Sequence, residues 1–218
     1  MAITIFLLYH YHMIITYYGV TCFKIQAGEI VLAIDPYTKE AGLTPPRFQT
    51  DIVLSTRNNS LCNNTDALAG SPFVITSPGE YEIKGISIEG IAASEHTIYV
   101  IEWEGMRLCH LGALDEKQLP DATRERISTP DILFVPIGGG NALDAEEAVH
   151  VINLIEPRIA IPMYYAFPGF STLPLHTVDA FLKEIGSSSM AEEKLSLKKK
   201  DVPQEEMKIA VLKPVTEM

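Results

Sequence analysis

The feature that most constrains this chain is a crowd of short apolar, β-branched runs in its first half. The first three lie too close together for helices to fit between them. Residues 14–18, 21–25 and 30–34 follow one another across Gly19 and Ala27-Gly28-Glu29. Alternation at period two, broken by two or three residues, predicts antiparallel strands joined by tight turns. Residues 51–55, 72–76, 81–92, 97–103 and 106–112 continue the series. Ser77-Pro78-Gly79-Glu80 has Pro and Gly where a type II turn wants them, and Glu104-Gly105 reads as a hairpin turn. The second half changes rhythm. Residues 131–137 and 158–165 are unbroken apolar runs of the kind found in buried strands. Between them Ala145, Ala148, Val149, Ile152 and Ile155 recur at helical spacing. Asp144, with Glu147 three residues on, has the pattern of a capping box. Val178, Phe181, Leu182 and Ile185 predict a second helix ended by Gly186, and residues 194–200 and 207–213 read as closing strands. Residues 43–47 and 187–193 are loops rather than linkers between two cores. One α/β domain of many strands and few helices follows.

Charge and cysteine usage narrow the function classes. Lys and Arg number 17 against 28 Asp and Glu, a net charge of -11. Such a chain repels phosphate backbones, so no nucleic-acid partner is expected. The 47% hydrophobic content is that of a folded globular protein. Cys22, Cys62 and Cys109 are an odd number in a long chain, which argues against a disulfide scaffold and for a reducing, cytoplasmic setting. No run approaches the roughly 20 apolar residues that a membrane helix needs, so no membrane role is expected. Residues 3–9 are apolar, but no Lys or Arg precedes them and no small-residue cleavage site follows, a poor fit to a signal peptide. Residues 1–12 are therefore read as an extension, arising from a misplaced start, and residues 13–214 as the domain. His10 and His12 within the extension are spaced as a ligand pair, too few to hold a metal by themselves.

The order of the runs carries a resemblance. IITYYGVTCFKI with VLAIDP, DIVLSTRNNSLCNN, PGEYEIKGI, HTIYVIEWEGMRLCHLGAL, DILFVPIGGGNALDAEEA and EPRIAIPMYYAFPG resemble the metallo-β-lactamase superfamily, in its branch of small predicted bacterial zinc-dependent hydrolases. The likeness runs from Met13 to about Pro214, with the motifs in the family's order. It implies a four-layer αββα sandwich with the active site at one edge.

The resemblance also implies a metal centre, built from an H-x-H-x-D-H motif, a further His, a later Asp and a last His. Imidazole and carboxylate ligands hold Zn²⁺ and leave one position for an activated water. Here the first motif's slots hold Arg57, Asn59, Leu61 and Cys62. The family's HLGD reads His110-Leu111-Gly112-Ala113, and its last His corresponds to Tyr164. Only His96 matches a metal-binding imidazole. Asp35 of Ile34-Asp35-Pro36 keeps the place of a carboxylate that supports a ligand from behind. Arg57, a permanent cation, is expected to pair with Asp35 in the charge role left by the metal.

Other motifs have plainer readings. Gly138-Gly139-Gly140 lacks dinucleotide-loop spacing and precedes the acidic Asp144, so it reads as a tight strand-to-helix connection. Cys62 with His150 or His176 would be needed for a cysteine nucleophile, and no local signature joins them. Lys198-Lys199-Lys200 reads as a solvated strand end.

The expectation is thus a catalytically inactive relative of zinc-dependent hydrolases: no catalytic residues, no metal and no cofactor, retained for a protein partner, a ligand or a homo-oligomer. Two alternatives stand beside it. One is a metal-dependent hydrolase with a site rebuilt from Cys62, His96 and Asp115. The other is a metal-free enzyme in which Arg57 holds an anionic substrate.

Overall fold

Tight turns set the first three strands. Residues 11–170 and 172–215 are described by the computed structural model; His10 and most of the proposed extension lie outside them. Strands β1 (Met13–Gly19), β2 (Cys22–Ala27) and β3 (Ile30–Ile34) form an antiparallel meander. Strands β4 (Ile52–Leu54) and β5 (Phe73–Ile75) then add in parallel to β3. Strand β12 (Leu195–Leu197) closes the other side against β1, for a sheet order β12-β1-β2-β3-β4-β5.

The second sheet has the order β13-β11-β10-β9-β8-β7-β6. Its antiparallel part comprises β6 (Gly79–Ile83), β7 (Ile86–Ala93), β8 (His96–Trp103) and β9 (Met106–His110). Its parallel part adds β10 (Ile132–Pro136), β11 (Ile159–Met163) and β13 (Lys208–Ile209) to β9. The run read as one strand over residues 81–92 is in fact a hairpin. Lys84 and Gly85 both take positive φ (53° and 77°), and Ile83 faces Ile86 across them. That is the backbone twist a two-residue hairpin turn requires. Glu104 and Gly105 do the same between Trp103 and Met106, as expected.

The helices are α1 (Asp121–Ile127), α2 (Ala145–Ile155) and α3 (Val178–Glu184). Helix α2 opens as its sequence predicts: Asp144 Oδ1 accepts from Glu147 N at 2.9 Å, and Glu147 Oε2 accepts from Asp144 N at 3.3 Å. Its buried stripe is Ala148, Val151, Ile152 and Ile155, and α3 packs beside it. Helix α1 was not anticipated, because seven residues opened by Pro120 without a side-chain cap leave almost no periodic signal. The closing segments are shorter than expected. Lys199 and Lys200 are exposed, as expected, but lie in a 3-10 turn (Lys199–Asp201) rather than at a strand end, and the Lys199 ammonium contacts both oxygens of Asp131 at 2.7 Å.

Aromatic rings fill the space between the sheets. Phe23 of the first sheet lies 4.6 Å, centroid to centroid, from Phe134 of the second and stacks on Tyr17 at 4.8 Å. Pairs at such distances add about 0.5–1.5 kcal/mol to the gain from burial. On the outer face of the first sheet, Leu68 and Phe48 cover Ala33 and Val53.

The mixed sheets have one geometric consequence. The parallel strands β3, β4, β9, β10 and β11 all end at the same pole of the sandwich, and antiparallel β8 begins there. Loops that follow parallel strands gather at the carboxyl ends, where α/β sheets place ligands.

Candidate functional site

The chain leaves β3 at Asp35, which is fully buried with a φ of 49°. Its amide donates to Leu54 O of β4 at 2.9 Å. One turn of chain beyond β4, Thr56 reaches back. Asp35 Oδ1 accepts from Thr56 N and Oδ2 from Thr56 Oγ1, each at 2.7 Å. Burial pushes the Asp35 carboxyl up to about 7, against the pull of these two bonds and a weaker pull from Thr21 and Cys62. The two donors offset part of the burial penalty on the charged form, and the carboxyl still titrates near neutrality.

This arrangement corrects the expected Arg57–Asp35 pair. Thr56 stands one residue nearer, and both its donors already occupy the carboxylate. Arg57 turns the other way and donates from Nη2 to Ala113 O at 3.4 Å, while its Nε is buried without a hydrogen-bonded partner. Thr56 was missed by sequence reasoning. The only available signal was a short hydroxyl residue directly after a buried strand facing an Asp-Pro turn.

His96, Tyr164 and Cys62 gather around Arg57. The backbone of Thr97 donates to Thr56 O at 2.9 Å, which sets His96 beside Arg57. The His96 ring is 5% exposed. Neither ring nitrogen has a well-formed hydrogen bond, although the Leu111 backbone approaches. Burial, and then the Arg57 charge, push His96 down to about 4, so it is neutral at pH 7. Tyr164, just past β11, is buried with a φ of 54° and donates its amide to Val20 O at 2.7 Å. Its phenol is raised by burial and by Cys62, and lowered by Arg57, which places all three side chains in one neighbourhood. Backbone held in the left-handed region costs of order 1 kcal/mol or more per residue and recurs at functional sites. Asp35 and Tyr164 both carry it here.

Asn59, Leu61 and Cys62 divide. Asn59 is exposed and serves its own turn, its Oδ1 accepting from Leu61 N at 2.9 Å. Leu61 packs against the core. Cys62 is buried; burial and then the Asp35 charge raise its thiol well above the ordinary range. A thiol that keeps its proton is no nucleophile. Ala113 is buried and offers the site only its backbone oxygen.

His110, which ends β9, has hydrogen-bond partners at both ring nitrogens. Its Nε2 lies 3.0 Å from Thr21 O, and its Nδ1 accepts from Gly112 N at 3.1 Å. Burial holds it down at about 3. Across the pole, a Cβ added at Gly138 would stand 2.3 Å from Tyr164 O, so only glycine fits there. The glycine loop leads from β10 towards α2 and crosses close to the backbone of Tyr164. Among the described residues, no group of three or more His, Cys, Asp or Glu side chains converges tightly enough to hold a metal ion. No helix of the described residues is long and apolar enough to cross a membrane.

Comparison with known proteins places this geometry. A family model described as a β-lactamase superfamily domain matches residues 14–164. A metal-dependent hydrolase of Alkaliphilus metalliredigens is 25% identical, over 82% of this chain and 95% of that protein. A metal-dependent hydrolase of Thermoplasma acidophilum is also 25% identical, over 69% of this chain and 82% of its own length. Among solved structures, a candidate Zn-dependent hydrolase of the metallo-β-lactamase superfamily from Thermotoga maritima superposes with a TM-score of 0.78. It is 30% identical, across 92% of this chain and 98% of that one. A metallo hydrolase from Ignicoccus hospitalis, 19% identical with a TM-score of 0.61 over 86% of this chain and 99% of that one, shares the fold. With two mixed sheets, loops gathered at the carboxyl ends of their parallel strands and a family match over most of its length, this chain belongs to the β-lactamase superfamily and has the metallo-β-lactamase fold.

Proposed function

We propose that this protein is a metal-free member of its superfamily, with no hydrolytic activity of its own, that keeps the pole of the sandwich as a binding site. The observation that carries this reading is Arg57 at the centre of the pole, against His96 and Ala113. Zinc sites draw on three or four imidazole, thiolate or carboxylate ligands. A guanidinium never gives up its proton at usable pH and repels a dication. The neighbours do not compensate: Tyr164 and Cys62 are raised away from their anionic forms, and Asp35 spends both oxygens on Thr56. The residues of this pole therefore do not suit a divalent metal, and no catalytic step is derived through one. The retained role would be recognition of a ligand, a protein partner or a second copy of the chain.

The names of the relatives favour a second reading, a metal-dependent hydrolase whose site is rebuilt around Cys62, His96 and Asp115. The unpartnered ring of His96 is what speaks for it. Metal analysis of protein purified without chelator separates the two. The metal-free reading expects far less than one metal per chain and no saturable change in Tm on adding Zn²⁺. A ligand at 100 times its Kd adds about 2.7 kcal/mol to the native state, which a melt detects readily. Near-stoichiometric zinc, manganese or iron, or a zinc-dependent rise in Tm lost in Cys62→Ala or His96→Ala, would establish the second reading instead.

A further inference from the structure

The pole contains two adjacent polar groups that the fold itself leaves unsatisfied. Arg57 Nε is buried with no partner, and the bond its guanidinium makes among the described residues, from Nη2 to Ala113 O, is long at 3.4 Å. His96 is 5% exposed, with neither ring nitrogen in a well-formed bond and only the Leu111 backbone approaching it. They sit on either side of one backbone link, Thr97 N to Thr56 O at 2.9 Å. Buried donors are almost always paired, because one left alone forfeits the bonds it made to water. Two such groups side by side, one of them a fixed cation, call for an acceptor with more than one oxygen.

We infer that this pole binds a compact oxyanion, a phosphoryl or carboxylate group, between Arg57 and His96. The inference rests on the metal-free reading above and names the ligand class of that same site. A metal centre presents lone pairs and negative charge to a cation. Here Arg57 offers N–H donors with a full positive charge, the neutral imidazole of His96 offers one N–H, and the phenol of the neighbouring Tyr164 retains its proton. The polarity of the site is reversed. Guanidinium bonds to oxyanions are charge-assisted and roughly twice as strong as neutral ones. Of the nearby acids, Asp35 is already engaged by Thr56, and Asp115, whose charge acts on His96, is exposed to solvent, where its field is screened.

Inorganic phosphate and acetate, titrated separately against a chloride series of equal ionic strength, test this directly. The readouts are Tm and the ¹⁵N–¹H resonance of Arg57 Nε in the full chain. Saturable movement of that resonance, with a saturable rise in Tm that Arg57→Gln abolishes, is expected for phosphate, acetate or both; the anion that saturates at lower concentration identifies phosphoryl or carboxylate as the preferred group. Should Arg57→Gln fail to fold, the resonance of the parent protein still decides. A resonance that follows only ionic strength would overturn the proposal and leave a bridging water as the partner of both groups. A phosphate effect that requires added zinc would overturn it as well. Zinc binding alone would overturn the metal-free reading, whereas indifference to phosphate, acetate and zinc would remove the anion site and leave that reading standing.

Discussion

Three buried ionisable residues at the pole pull the pH dependence of stability in opposite directions. His96 and His110 are held neutral, at about 4 and about 3, against an ordinary imidazole value of 6.5. Their stabilising contribution is fully present above 6.5 and is lost as pH falls toward those values. Asp35 is shifted the other way, from 3.8 to about 7. Its contribution is present below 3.8 and is lost as pH rises through about 7. Between roughly pH 4.5 and 6, two imidazoles that resist protonation oppose one carboxyl that retains its proton. Stability should therefore fall on acidification by about 1.4 kcal/mol per pH unit. Asp35→Asn removes the opposing group, so the fall should become about twice as steep, near 2.7 kcal/mol per unit. Urea denaturation at several pH values measures both slopes; a variant no steeper than the parent would contradict the assignment of Asp35.

At the scale of elements, α2 rests on a reciprocal cap whose two halves are both made. Asp144→Ala removes the acceptor for Glu147 N and the negative charge at the helix start. Loss of such a cap costs about 1 kcal/mol, within a range of roughly 0.5–2. The midpoint of urea unfolding should drop accordingly with the m-value unchanged. Asp144→Asn should recover most of the loss, because its side-chain oxygen still reaches the amide; equal losses in the two variants would point to charge rather than the bond. The hairpin at Lys84-Gly85 shows the limit of pattern reading at this scale. Within residues 81–92 the alternation changes phase at Lys84-Gly85, from Tyr81 and Ile83 to Ile86 and Ile88, and a glycine inside a strand run reads as easily as a bulge as a turn.

For the whole molecule, the decisive contact is between sheets rather than within them. Phe23 and Phe134 meet at 4.6 Å and bring Tyr17 and His110 into the same aromatic layer. Phe134→Ala should destabilise the protein by about 3–5 kcal/mol, since it opens a cavity where the two sheets mate. Phe134→Leu, closer in volume, should cost markedly less. Thermal melts of both variants check this, and equal losses would mean that the layer tolerates collapse.

Local periodicity in the sequence by itself determined where strands, turns and capped helices lie. Alternating residues, two-residue turns and the Asp144 box act within a few positions of one another, and most of those elements stand where the pattern puts them. The two-sheet architecture came from the family resemblance that the motifs and their order carry. The tertiary structure alone decided what the site residues do. Strand β4 and the loop after it bring Thr56 rather than Arg57 to Asp35. The crossing with Gly138 sets Tyr164, and a backbone link holds His96 against Arg57. Such choices depend on distances of an ångström or less between loops far apart in the chain, and no local pattern encodes them.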